Sequence, residues 1–254
     1  MSAAAPAVID LSFRDRIAFL RFARPEAANT INMQFGRELL AAAFAIEAAA
    51  ARAVVVSGEG RNFCFGGDLK GMVASGVDLK AYLSELTANL HAAIVHLARL
   101  DAPVIAAVNG SAAGAGMGLV LAADYAIAAR GAKFVAAYTA VGLTPDASCT
   151  FLLPRAVGYK RAMELLLTNR VLDAEQALAW GLVNEVVDDD KLAETAAALA
   201  ARFAAGIASP GRRAFRSMHA RRENRRSYRR AAAVRRGSGR GRARRVLWRP
   251  NRRR

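Results

Sequence analysis

Cysteine is scarce in this chain of 254 residues: Cys64 and Cys149 are the whole complement. Two are too few for a disulfide framework and have no metal-ligand spacing, so a disulfide-stapled secreted scaffold is excluded and a reducing, cytoplasmic setting is expected. The N-terminus, Met1-Ser-Ala-Ala-Ala-Pro-Ala-Val8, lacks the basic segment and apolar block of a signal peptide. Ala102 to Ala123 is uncharged and long enough to span a bilayer. Pro103, Asn109, Gly110 and three further glycines break that run into strand, turn and helix, so no membrane partner is expected. Histidine is rarer still than lysine or arginine. His91 and His96 stand five apart and do not share a helical face, and His219 lies far off in the C-terminal segment. No metal site is expected from them. Lysine is absent from Gly211 to Arg254, a stretch holding 19 arginines and one acidic residue, Glu223. That segment carries +18 of a formal net charge of +16, leaving the rest of the chain at −2.

What remains is ample for a core. Apolar residues make up 54% of the chain, enough for one large domain. A boundary at the turn-forming Ser209-Pro210-Gly211 gives a globular domain over residues 1–210 and an arginine-rich tail over 211–254. Within the domain, Ala7–Leu11 and Ile17–Arg21 alternate as two strands of a hairpin turning at Phe13-Arg-Asp-Arg16. Thr30 or Asn32 is placed to cap a helix carrying Phe35, Leu39, Leu40, Phe44 and Ile46. Apolar repeats from Leu79 to Leu97 predict a helix over about 78–100. Short strands are expected at Tyr125–Ala129 and Lys133–Val135, and helices at about 119–122, 160–167, 174–180 and 191–205. Strands alternating with helices imply an α/β layered fold.

Two glycine-rich turns are the most informative feature. Phe63-Cys-Phe-Gly-Gly-Asp-Leu-Lys70 follows the apolar run Ala53–Ser57, and Val108-Asn-Gly-Ser-Ala-Ala-Gly-Ala-Gly-Met-Gly118 follows Pro103–Val108. Each opens into a stretch of helical character. Glycines there leave backbone N–H groups bare, and a helix N-terminus adds partial positive charge. Two such turns brought together can hold a developing oxyanion between two donors. The same glycines also suit plain tight packing of strand on helix, and the pattern alone leaves both readings open.

The chain resembles the crotonase superfamily, the enoyl-CoA hydratase/isomerase family. The resemblance rests on Phe65-Gly-Gly-Asp-Leu69, Ala107-Val-Asn-Gly-Ser-Ala-Ala-Gly-Ala-Gly116, Asp124, Val141-Gly-Leu-Thr-Pro-Asp146 and Leu153-Pro-Arg-Ala-Val-Gly158. Asp173-Ala-Glu-Gln-Ala-Leu-Ala-Trp-Gly-Leu-Val183 with Val186-Val187 extends it, so that it runs from about residue 8 to about 205. It implies a crotonase-type ββα spiral core with a C-terminal helical region, acyl-CoA thioester substrates with coenzyme A as part of the substrate and no separate cofactor, and a homotrimer or hexamer. It further implies that the N–H groups of Gly67 and Ala115 hold the thioester oxygen, with Gly66, Leu69, Gly114 and Tyr138 beside the substrate. Asp68 is read as a support for the first turn through backbone hydrogen bonds.

Hydratases similar to this chain carry one glutamate at the position of Gly118 and a second at that of Tyr138. Both are missing here, which opposes ordinary hydration. Asp146 occupies the slot where the isomerases of the family carry their base and where the dehalogenase branch carries a nucleophilic aspartate. A single carboxylate beside an enolate can take a proton from one carbon and return it to another, which shifts a double bond. Val141, Leu143, Phe151 and Leu152 are expected to shelter it. As a residue in Pro-Asp-Ala-Ser it also suits a helix cap. Cys64 is read as a small buried residue rather than a nucleophile. The basic residue that the family often places near the CoA phosphates is replaced by Ala27-Ala28, leaving Arg24 or Lys70 to substitute. An enoyl-CoA isomerase is therefore the expected activity, with a hydratase or a non-catalytic crotonase-fold protein as alternatives.

The terminus departs from the family, whose members end in an amphipathic helical segment. Residues 212–254 show no helical stripe and strong self-repulsion. Arginine, alanine and glycine without lysine are what a shifted reading frame yields in a GC-rich gene. The rival reading is an arginine-rich arm that binds nucleic-acid phosphates.

Overall fold

The computed structural model describes residues 6–74, 76 and 78–206. The expectations for the arginine-rich segment, for its boundary at Ser209-Pro210-Gly211 and for His219 lie outside the described residues. The chain opens with a hairpin, β1 (Ile9–Arg14) and β2 (Ile17–Phe22), followed by α1 (Met33–Ala48). The hairpin turns at Asp15-Arg16, both at positive φ, rather than over the four residues 13–16. A two-residue turn of that hand matches the twist of the strands and lets β1 run on to Arg14. Asn32 caps α1, its side chain accepting from the Phe35 N–H at 2.9 Å.

Three units then repeat one plan: a strand, a tight turn, a short second strand, and a helical segment. The first is β3 (Ala53–Gly58), β4 (Asn62–Cys64), α2 (Leu69–Ala74) and α3 (Leu79–Arg99). The second is β5 (Val104–Val108), β6 (Ser111–Ala113) and α4 (Ala115–Ala122). The third is β7 (Tyr125–Ala129), β8 (Lys133–Val135) and α5 (Cys149–Val157). Then come α6 (Tyr159–Thr168), β9 (Leu172–Asp173), α7 (Ala174–Trp180), β10 (Glu185–Val187) and α8 (Leu192–Gly206). The ββα plan is the one the resemblance implies.

The long strands form one sheet in the order β1-β2-β3-β5-β7-β10, parallel except for the hairpin. The short strands form a second, β4-β6-β8-β9. Alternation within each long strand sends side chains to two cores. Val54, Val56, Val104 and Ala106 join Phe35, Leu39, Leu90 and Ile94 of α1 and α3 on one face. Val55, Ile105, Ala107 and Ile127 meet Leu192, Ala196 and Ala200 of α8 on the other. Covering on both faces explains why β5 reads as an unbroken apolar run. Phe22 packs tilted against Phe35 and edge-on against Phe63 within the first core, with centroids 5.0 and 5.2 Å apart. Burying each such ring contributes about 2–3 kcal/mol.

Ala102 to Ala123 folds as β5, β6 and α4, and no described helix is long and apolar enough to cross a membrane.

Candidate active site

The two glycine-rich turns meet at the ends of β4 and β6. The glycines divide between the two uses open to them. A methyl on Gly110 would lie 2.0 Å from the Arg61 carbonyl oxygen, and one on Gly116 would lie 2.1 Å from that of Cys64, so these two permit close backbone packing. Gly66 turns the chain at φ +82°, and a methyl there would lie 3.5 Å from the Ala115 nitrogen. That closeness sets the first turn against the N-terminus of α4.

The donors follow from the backbone pattern. Ile31 donates to the Gly66 carbonyl at 2.7 Å and accepts from the Asp68 N–H at 2.9 Å, a parallel bridge around Gly67. A bridge of that form turns the N–H of Gly67 away from Ile31. Ala115 is the first residue of α4, where an amide has no intrahelical partner. Among the described residues neither amide finds a backbone acceptor. Both residues line one cavity of about 690 Å³.

Gly66, Asp68, Leu69 and Gly114 line the same cavity, as do Tyr138 and Asp146. Leu83, Leu86, Thr87 and Leu90 of α3 supply an apolar wall. Asp68 is fixed, its Oδ1 accepting from the Gly71 N–H at 2.9 Å and its Oδ2 from Arg24 at 2.8 Å. Burial alone raises its carboxyl, but these donors outweigh burial and hold it below the usual carboxylate range. Arg24 also donates to the Thr30 hydroxyl and carbonyl. Its guanidinium is thereby held by the protein itself. Lys70 is exposed at the cavity wall.

Asp146 is flanked by one partner close in sequence and one far from it. The Tyr138 hydroxyl donates to its Oδ1 at 2.9 Å. Burial pushes that hydroxyl far above its ordinary value, with Cys149 and Asp146 adding to the effect, so Tyr138 stays protonated and remains a donor. His91 Nε2 lies 3.7 Å from Asp146 Oδ2 and accepts the Ala147 N–H at 3.3 Å. The expected apolar shelter is corrected: Val141, Leu143 and Phe151 are exposed, because Asp146 sits in an irregular segment between a 3-10 turn and α5. The side-chain groups placed closest to its oxygens are polar. Cys149, buried beside Tyr138, and Cys64 are both pushed up to about 12 by burial, which leaves them as thiols.

His91 is the residue sequence reasoning missed, having weighed it only as a metal ligand. It stands one turn beyond Thr87 and two beyond Leu83, on the α3 face that walls the cavity. That periodicity is the signal, but it speaks only once α3 is known to be the wall. His96 instead pairs with Glu47 of α1 at 3.0 Å.

A ββα spiral with two bare amides, a carboxylate and an apolar wall around one cavity defines an α/β protein of the crotonase superfamily. The chain belongs to the enoyl-CoA hydratase/isomerase family, whose sequence profile matches residues 12–236. It is 43% identical over 183 residues to a 1,2-epoxyphenylacetyl-CoA isomerase of Escherichia coli K12, covering 71% of this chain and 70% of that one. It is 38% identical over 199 residues to a 4-chlorobenzoyl coenzyme A dehalogenase of an Arthrobacter species, covering 78% and 72%. The crystal structure of an enoyl-CoA hydratase from Mycobacterium avium subsp. paratuberculosis aligns with a TM-score of 0.75 and 28% identity, covering 84% and 82%.

Proposed function

We propose that this acyl-CoA enzyme shifts a double bond in an enoyl-CoA. The amides of Gly67 and Ala115 receive the thioester oxygen, which acidifies the carbon next to the carbonyl and stabilises the enolate. Asp146 takes the proton from one carbon and delivers it to another along the conjugated system. The observation that carries this reading is the division of the cavity's carboxylates. Among the described lining residues, Glu26 and Asp68 face Arg24, while Asp146 faces Tyr138 and His91. The hydratase alternative has no second carboxylate at Gly118 or Tyr138 to handle water.

A second reading is favoured by His91. Asp146 would attack the halogen-bearing ring carbon of an aroyl-CoA, form an aryl ester and expel halide. His91 stands where it can take a proton from the water that then hydrolyses the ester. The name of the Arthrobacter relative supports this branch.

The test offers the full-length protein 3-enoyl-CoA, 2-enoyl-CoA with water, and 4-chlorobenzoyl-CoA separately, each with wild type and Asp146→Asn. Isomerisation lost on substitution supports the first reading. Chloride release lost on substitution supports the second, and hydration indifferent to Asp146 contradicts both. The resemblance also implies a trimer, and the exposed Phe151, Tyr159, Leu167 and Val171 offer apolar surface for such an assembly to cover.

A further inference from the structure

The backbone of α4 meets the Asp146 segment at Gly118, which does not line the cavity. A methyl built on Gly118 would lie 2.4 Å from the Ala147 carbonyl oxygen and 2.8 Å from Ala147 Cβ. Ala147 is fully buried against this bare Cα. It has φ +47°, and Ser148 follows at +66°, two consecutive non-glycine residues in the left-handed region. L-residues occupy that region only where their surroundings hold them there. The holding contacts converge on this pair. The Ala147 N–H donates to His91, the Cys149 N–H donates to the Asp146 carbonyl at 2.8 Å, and the Ser148 carbonyl accepts the Leu152 N–H at 2.8 Å.

We propose that Gly118 is a positioning residue for Asp146: its missing side chain lets Ala147 seat on α4, and that seat aims the neighbouring carboxylate at Tyr138 and the cavity. The inference rests on Asp146 being the reacting carboxylate. It has a consequence for reaction choice within the site. A glutamate at 118 and Asp146 in its present place exclude each other, because the space for the glutamate's Cβ is filled by the Ala147 carbonyl. A carboxylate side chain at 118 and the carboxylate now at 146 are therefore structural alternatives.

The test compares full-length wild type, Gly118→Ala, Gly118→Ala/Ala147→Gly and Asp146→Asn. Turnover of a 3-enoyl-CoA, binding of a non-reacting acyl-CoA thioether and the thermal midpoint are measured for each. Gly118→Ala is expected to fold and bind the thioether as wild type does, while kcat falls about 100-fold, the scale of an ångström-level misplacement. Ala147→Gly in the same chain removes the methyl 2.8 Å away but leaves the carbonyl oxygen 2.4 Å away, so the double variant is expected to stay well below wild-type turnover. Wild-type kcat in Gly118→Ala, a loss confined to KM, a double variant restored to wild-type turnover, or a single variant that does not fold would each overturn the proposal. Full turnover by Asp146→Asn would overturn the underlying assignment instead, whatever Gly118→Ala does.

Discussion

The Tyr138 hydroxyl and Asp146 Oδ1 are 2.9 Å apart, and Tyr138 is the donor. A protonated donor fixes the carboxylate's direction while leaving its second oxygen, Oδ2, towards His91. The resemblance to the family's hydratases implies a glutamate at this position, and in this chain the residue there instead orients Asp146. Tyr138→Phe keeps the ring in the cavity wall and removes that donor. We expect kcat to fall by about tenfold, the scale of a hydrogen bond to a charged group, with KM little changed. Steady-state kinetics with the active acyl-CoA substrate checks this.

The Ala115 amide can be removed without disturbing the helix. Proline is tolerated at the first helical position because the N–H there has no intrahelical partner. Ala115→Pro is therefore expected to retain the far-ultraviolet circular dichroism of wild type and to lose about 10²- to 10³-fold in kcat. A variant with normal turnover would remove Ala115 from the oxyanion site.

Asp68 and Arg24 tie the first turn to the loop before α1. The folded-state pKa of Asp68 lies below its ordinary 3.8, so the folded protein binds fewer protons there than the unfolded chain. The resulting stability is complete above the unfolded value and disappears as pH falls through the depressed one. Asp68→Asn is expected to cost about 2 kcal/mol at neutral pH, with the gap to wild type closing under acid conditions. Urea unfolding followed from neutral to strongly acidic pH measures it.

His91 is expected to support turnover through its place beside the Asp146 segment. Its Nε2 accepts the Ala147 N–H at 3.3 Å and lies 3.7 Å from Asp146 Oδ2. His91→Ala removes both contacts, so kcat should fall by about tenfold while the protein stays folded, as steady-state kinetics and circular dichroism would show. An unchanged kcat would leave His91 without a part in holding the carboxylate.

How much of this was legible in the sequence depended on range. The glycine-rich turns, Asp146 and the α/β class could be read because their signals are local: a turn after an apolar strand, or a carboxylate in a motif. Strands β4 and β6 were hidden inside the turns, since three residues are too few to show an alternating pattern. Helix α5 carries no legible start or run, because it contains Pro154 and the residue before it, Ser148, makes no side-chain cap. The Arg24–Asp68 pair could not be read because the two residues are 44 positions apart. His91 was missed for the same reason, its partners lying 55 and 56 positions further along.

The central claim is that Asp146 moves the proton of an enolate held by Gly67 and Ala115. Its most direct test is α-proton exchange of a bound enoyl-CoA in deuterium oxide, followed by nuclear magnetic resonance, for wild type and Asp146→Asn. The account predicts exchange in wild type and its loss in Asp146→Asn, with acyl-CoA binding retained. Equal exchange in both proteins would contradict it.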